Sequence, residues 1–315
     1  MEKVLITDYG FKAIHQEETL ITGAGFYLQA AQCKTQEEVL EHGADAVALL
    51  VQWAPVTASV IGGLRQCRLI VRYGIGVDNV DLEAAKKKGI VVCNVPDYCI
   101  AEVADHTVSL ALALARQITA THNRLIAGEW QIVPPQPALP FCEMKFATIG
   151  FGRIAREVLK RAVPFGFRRT ACDPYVSKEE IEKHGVSYAT FEEIVDTADL
   201  ISLHLPLTEQ THHIINKDVL RRMKRGAILI NTSRGGLVDT EALAEVLGDG
   251  TLAAGLDVFE KEPLPGDHPL RKCSNVILTS HTAWYSERSV PALQRMAAEE
   301  VVRGLTTGNV HNRVV

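Results

Sequence analysis

Three residues late in the chain each stand just past a short apolar run. Arg234 follows Ala227–Asn231 in Asn231-Thr232-Ser233-Arg234-Gly235-Gly236, Glu262 follows Ala253–Val258, and His281 follows Val276–Ser280. A guanidinium can bind a carboxylate or carbonyl oxygen through paired N–H donors. An imidazolium can give a proton to a carbonyl oxygen as hydride arrives, and the neutral ring can take it back. A carboxylate on the other ring nitrogen would fix the tautomer and favour the charged ring. Together the three types suit the reversible reduction of a keto acid. Taken singly, an arginine after a strand is usually a surface charge, and Glu262 could be a turn residue ahead of Pro263. Whether the three side chains meet is a question that spacing leaves open.

Of the 11 histidines, His281 is the most distinctive, because it sits at the end of a late strand. His204 lies inside an apolar run and reads as a core or cofactor-edge residue. His106, His122, His184, His212, His213 and His268 read as ordinary helix or loop positions. His212 and His213 are adjacent and would point apart on a strand or helix, so no metal site is expected.

A second constellation lies upstream. Ala147-Thr148-Ile149-Gly150-Phe151-Gly152-Arg153-Ile154-Ala155 is a Gly-x-Gly-x-x-Ala element that ends an apolar run and opens a helix over Arg153–Ala162. A second strand then ends at Asp173. In that context Gly150 allows a tight strand-to-helix turn, and Gly152 lets a pyrophosphate approach the backbone. The helix N-terminus offers unpaired N–H groups and a partial positive charge to the anion. Asp173, 21 residues beyond Gly152, would accept hydrogen bonds from an adenosine ribose and repel a 2′-phosphate. Pro174-Tyr175-Val176 supplies no cation, so the expected cofactor is NAD rather than NADP.

The elements that must position these residues follow from patterning. Short β-type runs alternate with helical stretches, which predicts an α/β fold with parallel sheets buried on both faces. The early runs are Val4–Asp8, Ala46–Val51, Leu69–Tyr73 and Ile90–Val95, with helices over Thr35–His42 and Leu82–Lys88, the latter stopped by Gly89. One long helix is expected from about Ala101 to Trp130, with Val103, Leu110, Leu114, Ile118 and Leu125 on a buried face. Four prolines in the seven residues 134–140 predict a stiff extended connection. A second alternation follows: Phe146–Gly150, Thr170–Asp173, Leu200–Leu205, Ala227–Asn231, Ala253–Val258 and Val276–Ser280. Ser177–Glu180 and Thr190–Glu193 fit capping boxes. A last helix, from Ser286 to about Leu305, could pack back on the first unit.

At 315 residues and 47% hydrophobic, the chain can bury two cores. A net charge of −5 gives no electrostatic footprint for nucleic acid or an anionic membrane. The 7 cysteines are scattered without a CxxC pair, which indicates neither a zinc site nor a disulfide framework. No signal-like N-terminus and no run of 18 apolar residues occurs, so a reduced, soluble, cytoplasmic protein is expected.

The ordered motifs also resemble one family. Tyr73-Gly74-Ile75-Gly76-Val77-Asp78-Asn79-Val80-Asp81, Asn94-Val95-Pro96, Ile149 to Ile154, Asp173-Pro174-Tyr175, Leu203 to Thr208, Ile230 to Gly235, Leu256 to Pro263 and His281 to Ser286 are similar to the D-isomer-specific 2-hydroxyacid dehydrogenases. That family includes D-3-phosphoglycerate dehydrogenase, glycerate and hydroxypyruvate reductases, and the C-terminal binding protein corepressors. The resemblance implies NAD-dependent interconversion of a 2-keto acid and a D-2-hydroxy acid. Arg234 would bind substrate, His281 would be the acid/base, and Glu262 would support His281. The backbone at Tyr73, Gly74, Ile75 and Gly76 would cup the substrate carboxylate. Implied cofactor contacts are Cys99, Ile149, Gly150, Phe151, Gly152, Arg153, Ile154, Asp173, Leu205, Pro206, Thr211, Thr232, Ser233, Asp257, His281 and Trp284.

The resemblance further implies two Rossmann-like domains with a cleft between them: a flavodoxin-like substrate domain (1–97 and 286–315) and an NAD-binding domain (98–285). A homodimer built on the nucleotide domain is implied. Ala155 replaces the commoner third glycine, Ser280 stands where proline often precedes the histidine, and Phe141 where an arginine often precedes the first nucleotide-domain strand. No regulatory domain is expected after Val315. His281-Thr282-Ala283-Trp284-Tyr285-Ser286 is closest to the corepressor branch, which makes an NAD(H)-sensing binding protein the alternative. Trp284 would favour an apolar or aromatic keto acid. Glu262 disfavours a formate dehydrogenase, which carries glutamine there, whereas phosphite oxidation shares the Arg/Glu/His set.

Overall fold

A computed structural model describes residues 1–133 and 137–315. Of the proline-rich connection, residues 134–136 lie outside that description. The chain divides into two compact units, Met1–Cys99 with Tyr285–Val315, and Ile100–Trp284.

The first unit carries five parallel strands: β1 (Lys3–Ile6), β2 (Tyr27–Ala30), β3 (Ala48–Val51), β4 (Leu69–Arg72) and β5 (Val91–Cys93), in the order β2-β1-β3-β4-β5. This is the flavodoxin-like doubly wound order, with its switch point between β1 and β3. Leu5, Val39, Leu49, Val51, Ile61, Ile70 and Val92 form its core. Helix Gln36–Gly43 begins with a complete Thr35–Glu38 capping box, which the sequence reading missed. Asp81 caps Leu82–Lys88, and Gly89 ends that helix at φ +72°. The C-terminal helix Ser289–Thr307 belongs to this unit and buries Leu293, Ala297, Ala298 and Val301.

The second unit carries seven parallel strands: β6 (Lys145–Ile149), β7 (Arg168–Cys172), β8 (Ser187–Tyr188), β9 (Leu200–Leu203), β10 (Ile228–Asn231), β11 (Ala253–Leu256) and β12 (Val276–Leu278). Their order, β12-β11-β10-β9-β6-β7-β8, is that of a Rossmann sheet, and it reverses between β6 and β9. Successive residues of a strand face opposite ways. Accordingly Leu200, Ile228 and Ile230 pack with Leu110, Phe146 and Val158, while Ile201, Leu203 and Leu229 pack with Leu237, Leu243 and Leu247. Continuous apolar runs are what a sheet covered on both faces requires.

One expectation fails. The long helix is two, Ile100–Ala115 and Ile118–Ile126, broken where Gln117 takes φ +53°. Val103 and Leu110 are buried as expected, but Ile118 and Leu125 are more than half exposed. The capping boxes divide as well: Thr190–Glu193 is complete, whereas at Ser177 only the hydroxyl half is made.

Candidate active site

Arg234, Glu262 and His281 lie on the loops that follow β10, β11 and β12, all within the second unit. The loop carrying Arg234 is stapled by Asn231, whose Nδ2 donates to the Arg234 carbonyl at 2.8 Å and whose Oδ1 accepts from Ser233 N at 3.1 Å. Gly235 lies so close to the next loop that a Cβ there would stand 1.9 Å from the Phe259 carbonyl carbon. Only glycine lets the Arg234 loop touch the strand-end that leads to Glu262. Glu262 Oε1 accepts from Phe259 N at 2.9 Å, and its Oε2 lies 2.7 Å from His281 Nδ1. Burial pushes the Glu262 carboxyl upward. The His281 hydrogen bond, the Phe259 amide, and the charges of His281 and Arg234 outweigh it and hold the group below its ordinary 4.5. The structure thus brings His281 onto Glu262 and sets the Arg234 charge within reach of the same carboxylate.

His281 has φ +55°, a left-handed conformation uncommon outside glycine. Such a backbone persists only where its surroundings over-determine it. Here the determinant is Asp257, 1% exposed, whose side chain accepts from Thr282 N and Ala283 N at 2.9 Å each and whose carbonyl accepts from His281 N at 2.8 Å.

The phosphate loop follows β6. Gly150 takes φ +99°, and a Cβ on it would meet the His204 carbonyl oxygen at 2.3 Å. Gly152 begins helix Arg153–Arg161 without a side-chain cap, and nothing stands within 4 Å of where its Cβ would project. The first turn, with Arg153 and Ile154, is therefore open to an anion. Asp173 Oδ2 accepts from Phe151 N and its Oδ1 from Tyr175 N, each at 2.8 Å. Ile149 and Phe151 are buried. These residues fit a dinucleotide: a helix N-terminus approached over Gly152, which has no side chain, with the Asp173 carboxylate at the end of the neighbouring strand.

The remaining expected contacts sit on loops beyond strands, and several hydroxyls already serve the fold. Thr211 Oγ1 donates to the Pro206 carbonyl at 2.7 Å, in the turn that begins at Leu205. Thr232 Oγ1 lies 2.8 Å from Thr107 Oγ1, and Ser233 Oγ donates to the Leu203 carbonyl at 2.6 Å. Burial pushes the His204 imidazole down to about 3, and its Nε2 lies 2.9 Å from Ser202 Oγ, so its ring is neutral. Trp284 is the last residue of the second unit, whereas Cys99 falls in the first.

In the first unit the Tyr73-Gly74-Ile75-Gly76 loop follows β4. The Tyr73 and Gly74 amides are spent on the carbonyls of Val51 (2.8 Å) and Arg72 (2.9 Å). Asn94 Nδ2 donates to the Ile75 carbonyl at 2.7 Å. Beneath the loop the buried Tyr73 hydroxyl donates to Glu17 Oε1 at 2.8 Å, and Gln294 Nε2 donates to Glu17 Oε2 at 3.1 Å.

Two histidine readings need correction. His212 and His213 do not point apart: their rings stack at 3.9 Å and 23°, because His213 adopts φ +50° in a turn rather than a strand or helix. His213 Nε2 lies 2.6 Å from Glu260 Oε1, and Glu260 Oε2 accepts from Thr240 N at 2.8 Å. Ligand atoms of His212, His213 and Glu260 fall within 4.8 Å of one another. An ion shared by near-parallel rings would lie well out of both ring planes, so the geometry is that of a clamp between two loops. His106 is not an ordinary helix position either: it touches Thr279 in the β12 loop.

Residues 108–283 match the family model described as D-isomer specific 2-hydroxyacid dehydrogenase, NAD binding domain. The chain is 40% identical over 318 residues to a D-3-phosphoglycerate dehydrogenase of Methanocaldococcus jannaschii, covering 99% of this chain and 60% of that one. It therefore spans less than two thirds of that relative. It is 39% identical over 269 residues to a glyoxylate reductase of Korarchaeum cryptofilum, covering 83% and 81%. Among solved structures, the D-lactate dehydrogenase of Aquifex aeolicus complexed with NAD and lactic acid superposes with a TM-score of 0.89 at 28% identity, covering 99% of each chain.

Proposed function

The chain belongs to the D-isomer specific 2-hydroxyacid dehydrogenase family, and from that premise we propose that it interconverts a small 2-keto acid and its D-2-hydroxy acid with NAD. The observation that carries the reading is the His281–Glu262 contact of 2.7 Å, with the Arg234 charge acting on the same carboxylate. His281 Nδ1 donates to Glu262, which leaves Nε2 to exchange a proton with the substrate oxygen. Arg234 binds the keto-acid oxygens, and its positive charge favours the developing alkoxide. Among the described residues the amides of Ile75 and Gly76 have no partner in the fold, unlike those of Tyr73 and Gly74, and they suit a substrate carboxylate. The nicotinamide, when bound, supplies or accepts the hydride. Gly150 to Ile154 take the pyrophosphate, Asp173 the adenosine ribose, and Leu205, Pro206, Thr211, Thr232, Ser233, Asp257, Trp284 and Cys99 line the rest of the dinucleotide. The unit Ile100–Trp284 is read as the cofactor domain and the other as the substrate domain.

We also propose that the active form is a homodimer. Ile118, Leu125, Ile126, Trp130, Ile132 and Val133 of the second unit are 54–84% exposed, a large apolar surface for a protein with no helix, among the described residues, long and apolar enough to cross a membrane. Sedimentation at micromolar concentration should give twice the chain mass.

The activity is tested by NADH oxidation against pyruvate, glyoxylate, hydroxypyruvate and longer 2-keto acids. At least one should be reduced, and His281→Ala should lower its kcat by about 10²- to 10⁴-fold while NADH still binds. NADH binding without reduction of any acid would leave only a nucleotide-binding protein, of the corepressor kind.

A further inference from the structure

The second unit contains a chain of donors that ends on the carboxylate beneath His281. Helix Ile100–Ala115 brings His106 against the loop that follows β12, where its Nε2 lies 3.0 Å from Thr279 Oγ1. Thr279 Oγ1 in turn lies 2.5 Å from Asp257 Oδ1. The direction of each bond follows from the inventory of protons. A carboxylate can only accept, so the single Thr279 hydroxyl proton goes to Asp257. The Thr279 oxygen must then accept at His106, and His106 carries its proton on Nε2. The same Asp257 oxygen lies 3.7 Å from His106 Nε2, beyond hydrogen-bond range but near enough that the ring's polarity acts on it.

Asp257 is thereby tied to Thr279 on one side of His281 and to the amides of Thr282 and Ala283 on the other, while its own carbonyl holds the His281 amide. Four contacts bracket one residue whose φ is +55°. Left-handed backbone at a side-chain-bearing residue is strained, and it is kept only by such bracketing. His106 is the outermost member, and the one nothing else in the site requires.

We propose that His106 is a positioning residue for the reaction: its Nε2–H locks the Thr279 hydroxyl onto Asp257, and this holds the backbone that presents the His281 imidazole to Glu262. His106 touches neither substrate nor reacting atoms. The inference rests on the reading of His281 as the proton-exchanging group, so its test needs one readout that activity does not govern.

The variants are His106→Leu, which fills the space without a donor, His106→Gln, which restores an N–H, and Thr279→Val, which cuts the chain one step further in. Loss of one net hydrogen bond predicts that amide hydrogen exchange at Thr282 and Ala283 speeds up about five- to tenfold in His106→Leu and recovers in His106→Gln. In 2-keto acid reduction, kcat should fall by a similar factor in His106→Leu, while the dissociation constant for NADH stays within about twofold and thermal unfolding shows one intact transition. The double variant His106→Leu/Thr279→Val should be no worse than Thr279→Val alone, since both cut one chain. Unchanged exchange at 282 and 283 overturns the proposal whatever the activity. So does equal damage by leucine and glutamine, or additive damage in the double variant. If exchange responds as stated but the wild-type chain reduces no keto acid, the clamp stands and the dehydrogenase reading falls.

Discussion

Replacing Glu262 by glutamine changes one oxygen to an NH2 in a site where both oxygens are occupied. Glu262 Oε1 accepts from Phe259 N at 2.9 Å and Oε2 faces His281 Nδ1 at 2.7 Å. A glutamine can accept only one of these bonds well, and the other N–H then faces a second donor. The charge that steadies the imidazolium is lost in either orientation. A hydrogen bond to a charged group contributes roughly 1.5–3 kcal/mol, which corresponds to about 10- to 150-fold in rate at ~1.36 kcal/mol per decade. The His281 and Glu262 side chains are 39% and 36% exposed, so solvent screening argues for the lower part of that range, about 10- to 40-fold in kcat/KM. The assay is kcat/KM for NADH-driven reduction and for the reverse oxidation across about pH 5 to 9. Both directions should lose rate in Glu262→Gln, because the carboxylate that orients the ring serves proton transfer either way. Stability has its own signature. The Glu262 carboxyl is held below its ordinary 4.5, so its contribution is present above that value and lost as pH falls through the folded one. The wild-type advantage in Tm should therefore narrow below about pH 4.5. A Glu262→Gln enzyme within twofold of wild type in both directions would falsify the support assigned to this carboxylate.

Glu17 reverses that sign. Burial raises its carboxyl above the ordinary 4.5, against the lowering by a backbone hydrogen bond and those of Tyr73 and Gln294, so its stabilisation is full below 4.5 and lost as pH rises through the folded value. Glu17→Gln should match or exceed wild-type stability in urea at about pH 8 and lose that advantage near pH 4, and a deficit at the higher pH counts against the argument. Tyr73→Phe leaves Glu17 Oε1 without its hydroxyl donor and should cost about 1–3 kcal/mol, read as a lower urea midpoint, with the KM for keto acid rising as the loop above it loosens. Gly150→Ala forces a Cβ to 2.3 Å from the His204 carbonyl at φ +99°. It should weaken NADH binding at least about tenfold with little change in the fold of the first unit, and retained affinity would contradict the tight-turn argument.

The parts of this protein legible in its sequence are those governed by local rules. Buried parallel strands read as apolar runs, and Thr190 with Glu193 or Gly89 after Lys88 mark helix ends, because the chemistry that makes them is a few residues long. Arg234, Glu262 and His281 were placed after strands on the same grounds, and the sheet order puts β10, β11 and β12 side by side. What stayed hidden depends on contacts between distant segments. The break at Gln117 carries no glycine or proline, and the apolar spacing runs straight through it. Edge strand β2, half-exposed Tyr27–Ala30, has no clear alternation. His106 has the look of any helix residue until β12 arrives beside it, 173 residues later in the chain. The stacking of His212 on His213 turns on one left-handed φ, which no periodicity encodes.

The two sheets solve one problem in the same way. In a parallel sheet the amides just beyond a strand's carboxyl end have no ladder partner, and they must be satisfied if the loops there are to hold shape. Asp8, just past β1, accepts from Gln52 N and Trp53 N in the loop beyond neighbouring β3. Asp173, just past β7, accepts from Phe151 N beyond neighbouring β6. Asp257, just past β11, accepts from Thr282 N and Ala283 N beyond neighbouring β12. In each case a short acid on one strand end reaches across a single strand spacing, about 4.8 Å, to the next loop. Aspartate suits the span because it is acceptor-only and has one fewer rotatable bond than glutamate; asparagine would turn a donor against a donor. A carboxylate kept at 1% exposure, as Asp257 is, is costly unless every oxygen is used, and that cost makes the arrangement specific. The loop cannot drift without stranding the charge. His281 and the Phe151-Gly152 turn owe their fixed geometry to carboxylates that read in the sequence as candidate ligands, and those same carboxylates are structural acceptors first.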